Sequence, residues 1–428
     1  MILKGLKTTN HLAISYTITN FGSKALAAIV QLYAILVFTK IHTQYEAALI
    51  FLLLGYSIWF QVFEFGLAQT LQNKFNAREL TVSELLIMVL AHYLCMLFIA
   101  ILVVSTPYLT NALLPQNRAN LGGEGINAFS VGAAILLVAS NNLVSQRLLL
   151  VFNKEQVGNV LIMIQSVLAI LGLACYEFMG RPDLVIAVLL YLGPQVFVSL
   201  PVLLRWSFRA LRKHTRMKAS KFITTIYDAF GFLGLSVLAT IFLGADYYFA
   251  AHYMSSQEVV SYHLATRLFF ISFIAYYAFV QYSARRLSIY TLARETPAIE
   301  AILKGTLSIG FCSVITVYLI SVFMEHQGFF NYITNGLGIG QWMLFSAFAY
   351  FMIRVCRDVC LVVMGGLNAR GAIYKVYAIE VILGLSLMYL MVPRFGGYGL
   401  FASLALACFL STALLLQQAR KIGITLRL

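Results

Sequence analysis

Five cations stand inside long apolar runs of this 428-residue chain, Lys24, Arg147, Arg267, Arg354 and Arg357, accompanied by the acids Glu64, Asp358 and Glu380. Each costs roughly 2.5 to 3.5 kcal/mol at mid-membrane on insertion scales, so a helix keeps one only where water, a partner or a ligand offsets the loss. Helical spacing gives these charges polar company. Thr17, Asn20, Lys24 and Gln31 fall on one face of their run, and Ser57, Gln61 and Glu64 do so on the next. His263, Arg267 and Gln281 share a face further on, as do Tyr350, Arg354, Arg357 and Asp358. Four polar stripes on otherwise lipid-compatible helices predict a watery cavity.

Following the chain in and out of the membrane puts Arg147 and Arg357 toward the cytoplasm, Lys24 and Arg354 nearer the midplane, and Arg267 in the outer half. A ladder of positive charge at several depths suits a large anion in transit, because attraction at several levels avoids one deep trap. A cavity for cations calls for the opposite sign. The expected substrate-binding set is Lys24, Arg147, Arg267, Arg354 and Arg357, with Asn20, Gln31 and Gln61. Arg354 and Asp358 are four residues apart and set to neutralise each other, which leaves Arg357 unpaired on its own helix, and a structural pairing of Glu64 or Glu380 with Lys24 or Arg357 is the alternative. Glu64, Glu380 and Asp358 are the candidates for ion coupling by H+ or Na+. Arg147, near a helix end, can also snorkel to the headgroups. His92 and His263 lack a ligand constellation and read as satisfied polar residues. The six cysteines lie in apolar runs without zinc spacing, so they read as small buried apolar residues, and no cofactor or metal is expected.

The elements that must carry these residues follow from composition. Hydrophobic residues make up 61% of the chain and charged ones 11%, against roughly 45 to 50% and about 25% in soluble domains, which excludes a soluble protein. Runs of about 20 apolar residues cover approximately 12–38, 46–72, 84–106, 127–152, 157–179, 184–204, 222–245, 257–283, 302–324, 341–364, 372–392 and 398–419. The expectation is an all-α polytopic membrane protein with about 12 transmembrane helices. The first run, after Lys4 and Lys7, is far longer than a signal-peptide core and is expected to stay as a span. The longest outer connection, about Pro107 to Ile126, reads as a loop.

With the N-terminus inside, 21 Lys and Arg fall in inner connections and 4 in outer ones, Lys40, Arg118, Arg181 and Arg394. That asymmetry places both termini in the cytoplasm and explains most of the formal +14 charge as topology rather than nucleic-acid binding. The stretch 205–221, with seven cations, reads as a basic cytoplasmic linker between two six-helix lobes, 1–204 and 222–428. Asn20-Phe21-Gly22 and Ala229-Phe230-Gly231 echo each other in the two halves, and parallel repeats of this kind place a substrate site at their interface.

The stretch Phe63-Glu64-Phe65-Gly66-Leu67-Ala68-Gln69-Thr70-Leu71-Gln72-Asn73-Lys74 resembles the "D-x-G-L" helix end of bacterial polysaccharide flippases (O-antigen translocases). These belong to the multidrug/oligosaccharidyl-lipid/polysaccharide exporter (MOP) superfamily. Gly244-Ala245-Asp246-Tyr247-Tyr248, Val260 to Leu268 and Val392 to Leu400 add to the likeness. The resemblance implies two six-helix lobes of the kind seen in multidrug exporters. It also implies passage of an undecaprenyl-pyrophosphate-linked oligosaccharide from the cytoplasmic to the periplasmic leaflet of the bacterial inner membrane, with membrane lipids and polysaccharide polymerase or chain-length machinery as partners. A pyrophosphate fits the cation ladder. Tyr33, Tyr56, Trp59 and Tyr350 lie near the stripes and suit stacking on sugars or core packing. Two rivals are a cation-coupled multidrug exporter of the same superfamily and a membrane glycosyl transferase, polymerase or ligase acting on polyprenyl-linked sugars. The enzyme reading lacks support: outer loops are short, Asp246 and Glu258 stand alone there, and no phosphate loop or nucleophile constellation appears.

Overall fold

The computed structural model of the protein describes residues 2–106, 122–152, 154–180, 183–212, 217–293, 296–333, 336, 338–366 and 370–421. Within them every regular element is helical: α1 Ile2–Ile41, α2 Gln44–Phe60, a 3-10 turn Gln61–Glu64, α3 Leu67–Asn76, α4 Val82–Ser105, α5 Gly122–Ala139, α6 Asn141–Val151, α7 Glu155–Met179, α8 Leu184–Arg212, α9 Ala219–Tyr253, α10 Ser256–Ala293, α11 Thr296–His326, α12 Phe329–Ile333, α13 Gln341–Gly366 and α14 Arg370–Lys421. The chain forms two compact units, Met1–Thr240 and Ile241–Leu428.

Each of the twelve apolar runs lies on one of these helices or on a broken pair. Seven helical stretches among the described residues are long and apolar enough to cross a membrane, and the bent halves of α9 make an eighth. One of the seven is Gly371–Lys421, whose 51 residues are far more than one span needs. It is divided at Gly396, where φ 55° and ψ −137° leave the helical region, so it supplies two spans. With α8, α10 and α13, of 29, 38 and 26 residues, the set reaches twelve. The protein is a multi-pass membrane protein. Its outward apolar side chains, such as Phe98, Leu171, Leu319 and Phe409, are placed to meet lipid.

Gly396 is conformationally committed, because its backbone region is open almost only to glycine. A Cβ there would run into the Glu258 carboxylate, which already accepts from the Ser255 amide at 2.9 Å and the Ser255 hydroxyl at 3.0 Å in a cap on α10. Gly396→Ala is expected to lower stability by about 1 to 3 kcal/mol, read as a drop in the thermal unfolding midpoint of the purified protein. An unchanged midpoint would remove this role for the glycine.

Two expected helices are interrupted. The second run breaks where Gln61–Glu64 tightens into a 3-10 turn followed by Phe65 (φ 54°) and Gly66 (φ 69°), both left-handed. The Ser57, Gln61, Glu64 stripe is therefore not one continuous α-helical face, since 3-10 geometry turns through 3.0 residues rather than 3.6. The fourth run breaks at Ser140. There the Ser140 hydroxyl donates to the Leu137 carbonyl at 2.6 Å, and the Asn141 amide donates to the Val138 carbonyl at 3.0 Å. Short polar side chains that bond to nearby backbone carbonyls compete with the helix ladder.

Of the basic stretch 205–221, expected as a linker loop, residues 205–212 and 219–221 are helical, because α8 runs to Arg212 and α9 begins at Ala219. The first half of α9 is tied within the first unit. Lys221 donates to both Glu84 oxygens at 2.8 Å, and Lys74 lies 2.6 Å from Asp228. The hydrogen bond to Asp228 holds the Lys74 ammonium above its usual range. Between Gly231 and Ser236, α9 bends by 50°. At the other end of the unit, Lys40 of the expected outer set pairs with Glu177 at 2.7 Å.

Candidate functional site

In the second unit α10, α13 and α14 gather a buried ionic network. Arg357 grips Glu380 with two hydrogen bonds of 2.6 Å and reaches Asp358 at 3.2 Å. Glu380 also accepts from the Ser411 hydroxyl at 3.0 Å. Arg357 is 4% exposed and Glu380 1%, so the pair is shielded from solvent. Removing one charge would strand the other in a medium that cannot solvate it. The expectation that Arg357 lies unpaired is corrected here. Its partner Glu380 lies on another helix, 23 residues away, and helical spacing offered that pairing only as an alternative to a coupling role for the acid.

Arg354 stands one turn earlier on α13. Its guanidinium donates to the Tyr350 hydroxyl at 3.1 Å and the Tyr277 hydroxyl at 3.3 Å, and packs over Phe270 and Phe273 with 5.4 and 5.3 Å to the ring centroids. Its Nε is 3.8 Å from Asp358 and makes no hydrogen bond, so the expected neutralising pair is a loose one. Asp358 instead takes the Tyr277 hydroxyl at 2.9 Å. Two arginines and two carboxylates thus balance on and around α13, and the aromatic walls exclude water from them.

Toward the start of α10 lies a second cluster. Asp246, expected alone in an outer loop, is buried inside α9, with one oxygen accepting from the Tyr262 hydroxyl at 2.6 Å and the other from the Tyr247 amide at 2.8 Å. Arg267 donates from Nε to His263 Nε2 at 3.3 Å, and His263 Nδ1 faces the Tyr247 hydroxyl at 2.9 Å. Because Nε2 is an acceptor there, His263 is neutral with its proton on Nδ1. The sequence signal was present in Asp246-Tyr247 and Tyr262-His263, but the apolar run was closed one residue before the acid. Glu258 is the capping residue described above.

In the first unit Lys24 is half-buried on α1, one turn from the buried Asn20, whose carbonyl accepts from the Ser23 hydroxyl at 2.9 Å. Gln31 is half-buried two turns on, and Glu64 ends the 3-10 turn. The side chains of Thr17, Gln61, Arg147 and Gln281 lie outside the described residues. Cys360 and Cys408 are buried as expected, whereas Cys95, Cys175 and Cys312 are exposed on lipid-compatible helices. No group of metal-ligating side chains occurs among the described residues.

No known family model matches the chain. Its helices superpose on a solved structure of the lipid II flippase MurJ in an inward closed conformation, with a TM-score of 0.72 over 95% of this chain and 87% of that one, at 16% identity. The chain shares the fold of that flippase. A multidrug resistance MATE family transporter of the MOP superfamily, in an inward-facing conformation, matches with a TM-score of 0.68 over 95% of this chain and 98% of that one, at 12% identity. In sequence the chain is similar to a Yersinia pseudotuberculosis protein named "Putative O-antigen export protein", 23% identical over 412 residues and 92% of each chain. The expected resemblance to a polysaccharide exporter is thereby shown for the chain as a whole. In this chain the Phe63 to Lys74 stretch contains the helix break itself: Phe65 and Gly66 supply its two left-handed residues.

Proposed function

We propose that this chain is a flippase that carries a polyprenyl-pyrophosphate-linked oligosaccharide, an O-antigen or related repeat unit, from the cytoplasmic to the periplasmic leaflet by alternating access. The observation that carries the reading is the likeness to an O-antigen export protein along 92% of the chain. The MOP fold, shared with a flippase of another lipid-linked substrate, supports it. Within that reading the first unit's candidate for contact with an anionic headgroup is Lys24, with Asn20 and Gln31 on the same helix, and the second unit's own candidate is Arg267. Arg354 and Arg357 are held by Tyr277, Asp358 and Glu380 and contribute through that network.

Transport is coupled to H+ or Na+, with Glu64 as the leading carrier because it ends the turn at which the second helix breaks. Glu380, gripped by Arg357, and Asp358 are the further candidates. The protein lies in the bacterial inner membrane with both termini cytoplasmic and hands its cargo to the polymerase and chain-length machinery.

The test is depletion of the protein followed by mass spectrometry of the lipids that accumulate on the cytoplasmic leaflet. A polyprenyl-pyrophosphate oligosaccharide is the expected product. Unchanged lipid-linked sugars together with new sensitivity to cationic drugs would replace this reading with a multidrug exporter.

A further inference from the structure

The two helix breaks of the first unit meet at one side chain. His92, ten residues into α4 and 8% exposed, places Nδ1 2.6 Å from Asn141 Oδ1 and Nε2 2.9 Å from the Phe63 carbonyl oxygen. Phe63 lies in the 3-10 turn that interrupts the second span, and Asn141 is the first residue after the interruption of the fourth. Phe65, left-handed in the first break, sets its ring edge-on to the imidazole at 6.5 Å.

Both partners of His92 are acceptors. The Asn141 amide cannot be turned to offer its NH2 instead, because that NH2 already donates to the Val138 carbonyl at 3.0 Å. Turning it would set Oδ1 against another carbonyl oxygen. A neutral imidazole has one N–H and one lone pair, so one of its two contacts would be lone pair against lone pair. Only the doubly protonated ring satisfies both. His263 shows the contrast, with an arginine donor on one nitrogen.

We propose that His92 is a proton-binding latch: protonated, it pins the breaks of the second and fourth spans together, and loss of the proton releases one of the two bonds. The pinned arrangement holds one proton more than the released one, so acid favours pinning and rising pH favours release. The charged and titratable groups on elements packed against α4 are Glu64 in the turn, Lys74 on α3, Glu124 on α5, Arg147 on α6, Tyr191, Arg205, Arg209 and Arg212 on α8, and Lys221 at the foot of α4. Lys74 is held by Asp228, Glu124 accepts the Leu184 amide and Lys221 is held by Glu84. Among the described side chains, only the Asn141 oxygen and the Phe63 carbonyl bond to the ring. The consequence for transport rests on the alternating-access reading, whereas the protonation state rests on geometry alone.

The experiment uses the full chain in lipid bilayers with 15N-labelled histidine. Solid-state NMR of the wild type against His92→Gln isolates one of seven histidines. The expected spectrum shows both His92 nitrogens protonated on the acid side, changing to one as pH rises. Asn141→Leu removes one acceptor and is expected to leave His92 neutral at a pH where the wild type is charged, which keeps the test open should the glutamine variant misfold. Amide hydrogen exchange at residues 61–66 and 138–142 is expected to quicken with that change, beyond the intrinsic pH effect, in the wild type and not in His92→Gln. A His92 that is neutral throughout, or exchange that responds alike in both proteins, overturns the latch. These measurements use no transported lipid, so they fail or succeed apart from the flippase reading.

Discussion

Arg357→Met and Glu380→Met, made singly, are each expected to destabilise the protein by about 3 to 5 kcal/mol, while the double variant regains most of that loss. The reason is the dryness of the pair. Either single change strands a charge that was gripped by two 2.6 Å hydrogen bonds, whereas removing both replaces ion desolvation by apolar packing. Asp358, left behind in the double variant, keeps the Tyr277 hydroxyl and the nearby Arg354. Thermal unfolding of the three variants measures the coupling. Surface polysaccharide then separates roles: a double variant that folds and still exports shows the pair to be a structural lock. One that folds and exports nothing assigns Arg357 to the substrate path, as the sequence pattern alone had it.

Lys24→Ala is expected to reduce surface polysaccharide about a hundredfold or more without loss of protein from the membrane. Losing a charge-assisted contact in a partly desolvated site costs about 3 kcal/mol, and each 1.4 kcal/mol is about tenfold in rate. Lys24→Arg, which keeps the charge, should retain a large part of the activity, and a cysteine at position 24 should react with small water-soluble thiol reagents. The half-buried position of Lys24 on α1 makes that accessibility reasonable. If Lys24→Ala instead disappears from the membrane, or the cysteine stays inert while loop cysteines react, the residue holds the fold and does not meet substrate.

Hydrophobic runs were sufficient for the class of molecule. A chain with 61% hydrophobic residues must place its backbone polar groups in helices once in lipid, and the apolar run lengths set the number of spans. The motif around Glu64 to Leu67 was also legible, because it carries its likeness in local order. What that motif does was not: a run of apolar residues reads as one helix, and only the left-handed pair at Phe65 and Gly66 reveals a break. Ser140-Asn141-Asn142, three short polar residues mid-span, was the available signal for the other break.

Which charges are committed to partners was decided by tertiary structure. Pairing along one helix is readable at spacings of three and four, so Arg354 and Asp358 were linked in advance and Arg357 was left over. Its partner comes from α14, and spacing along α13 could offer Glu380 only as one alternative among several. The same holds for His92, whose meaning depends on two acceptors from separate segments, and for Asp246, whose tyrosine donor lies on α10. Sequence periodicity reports which face of a helix is polar. Whether that face meets water, a ligand or an opposite charge is settled only when a second helix is laid against it, because in a low-dielectric interior the sign and geometry of the neighbour outweigh every intrinsic preference of the residue.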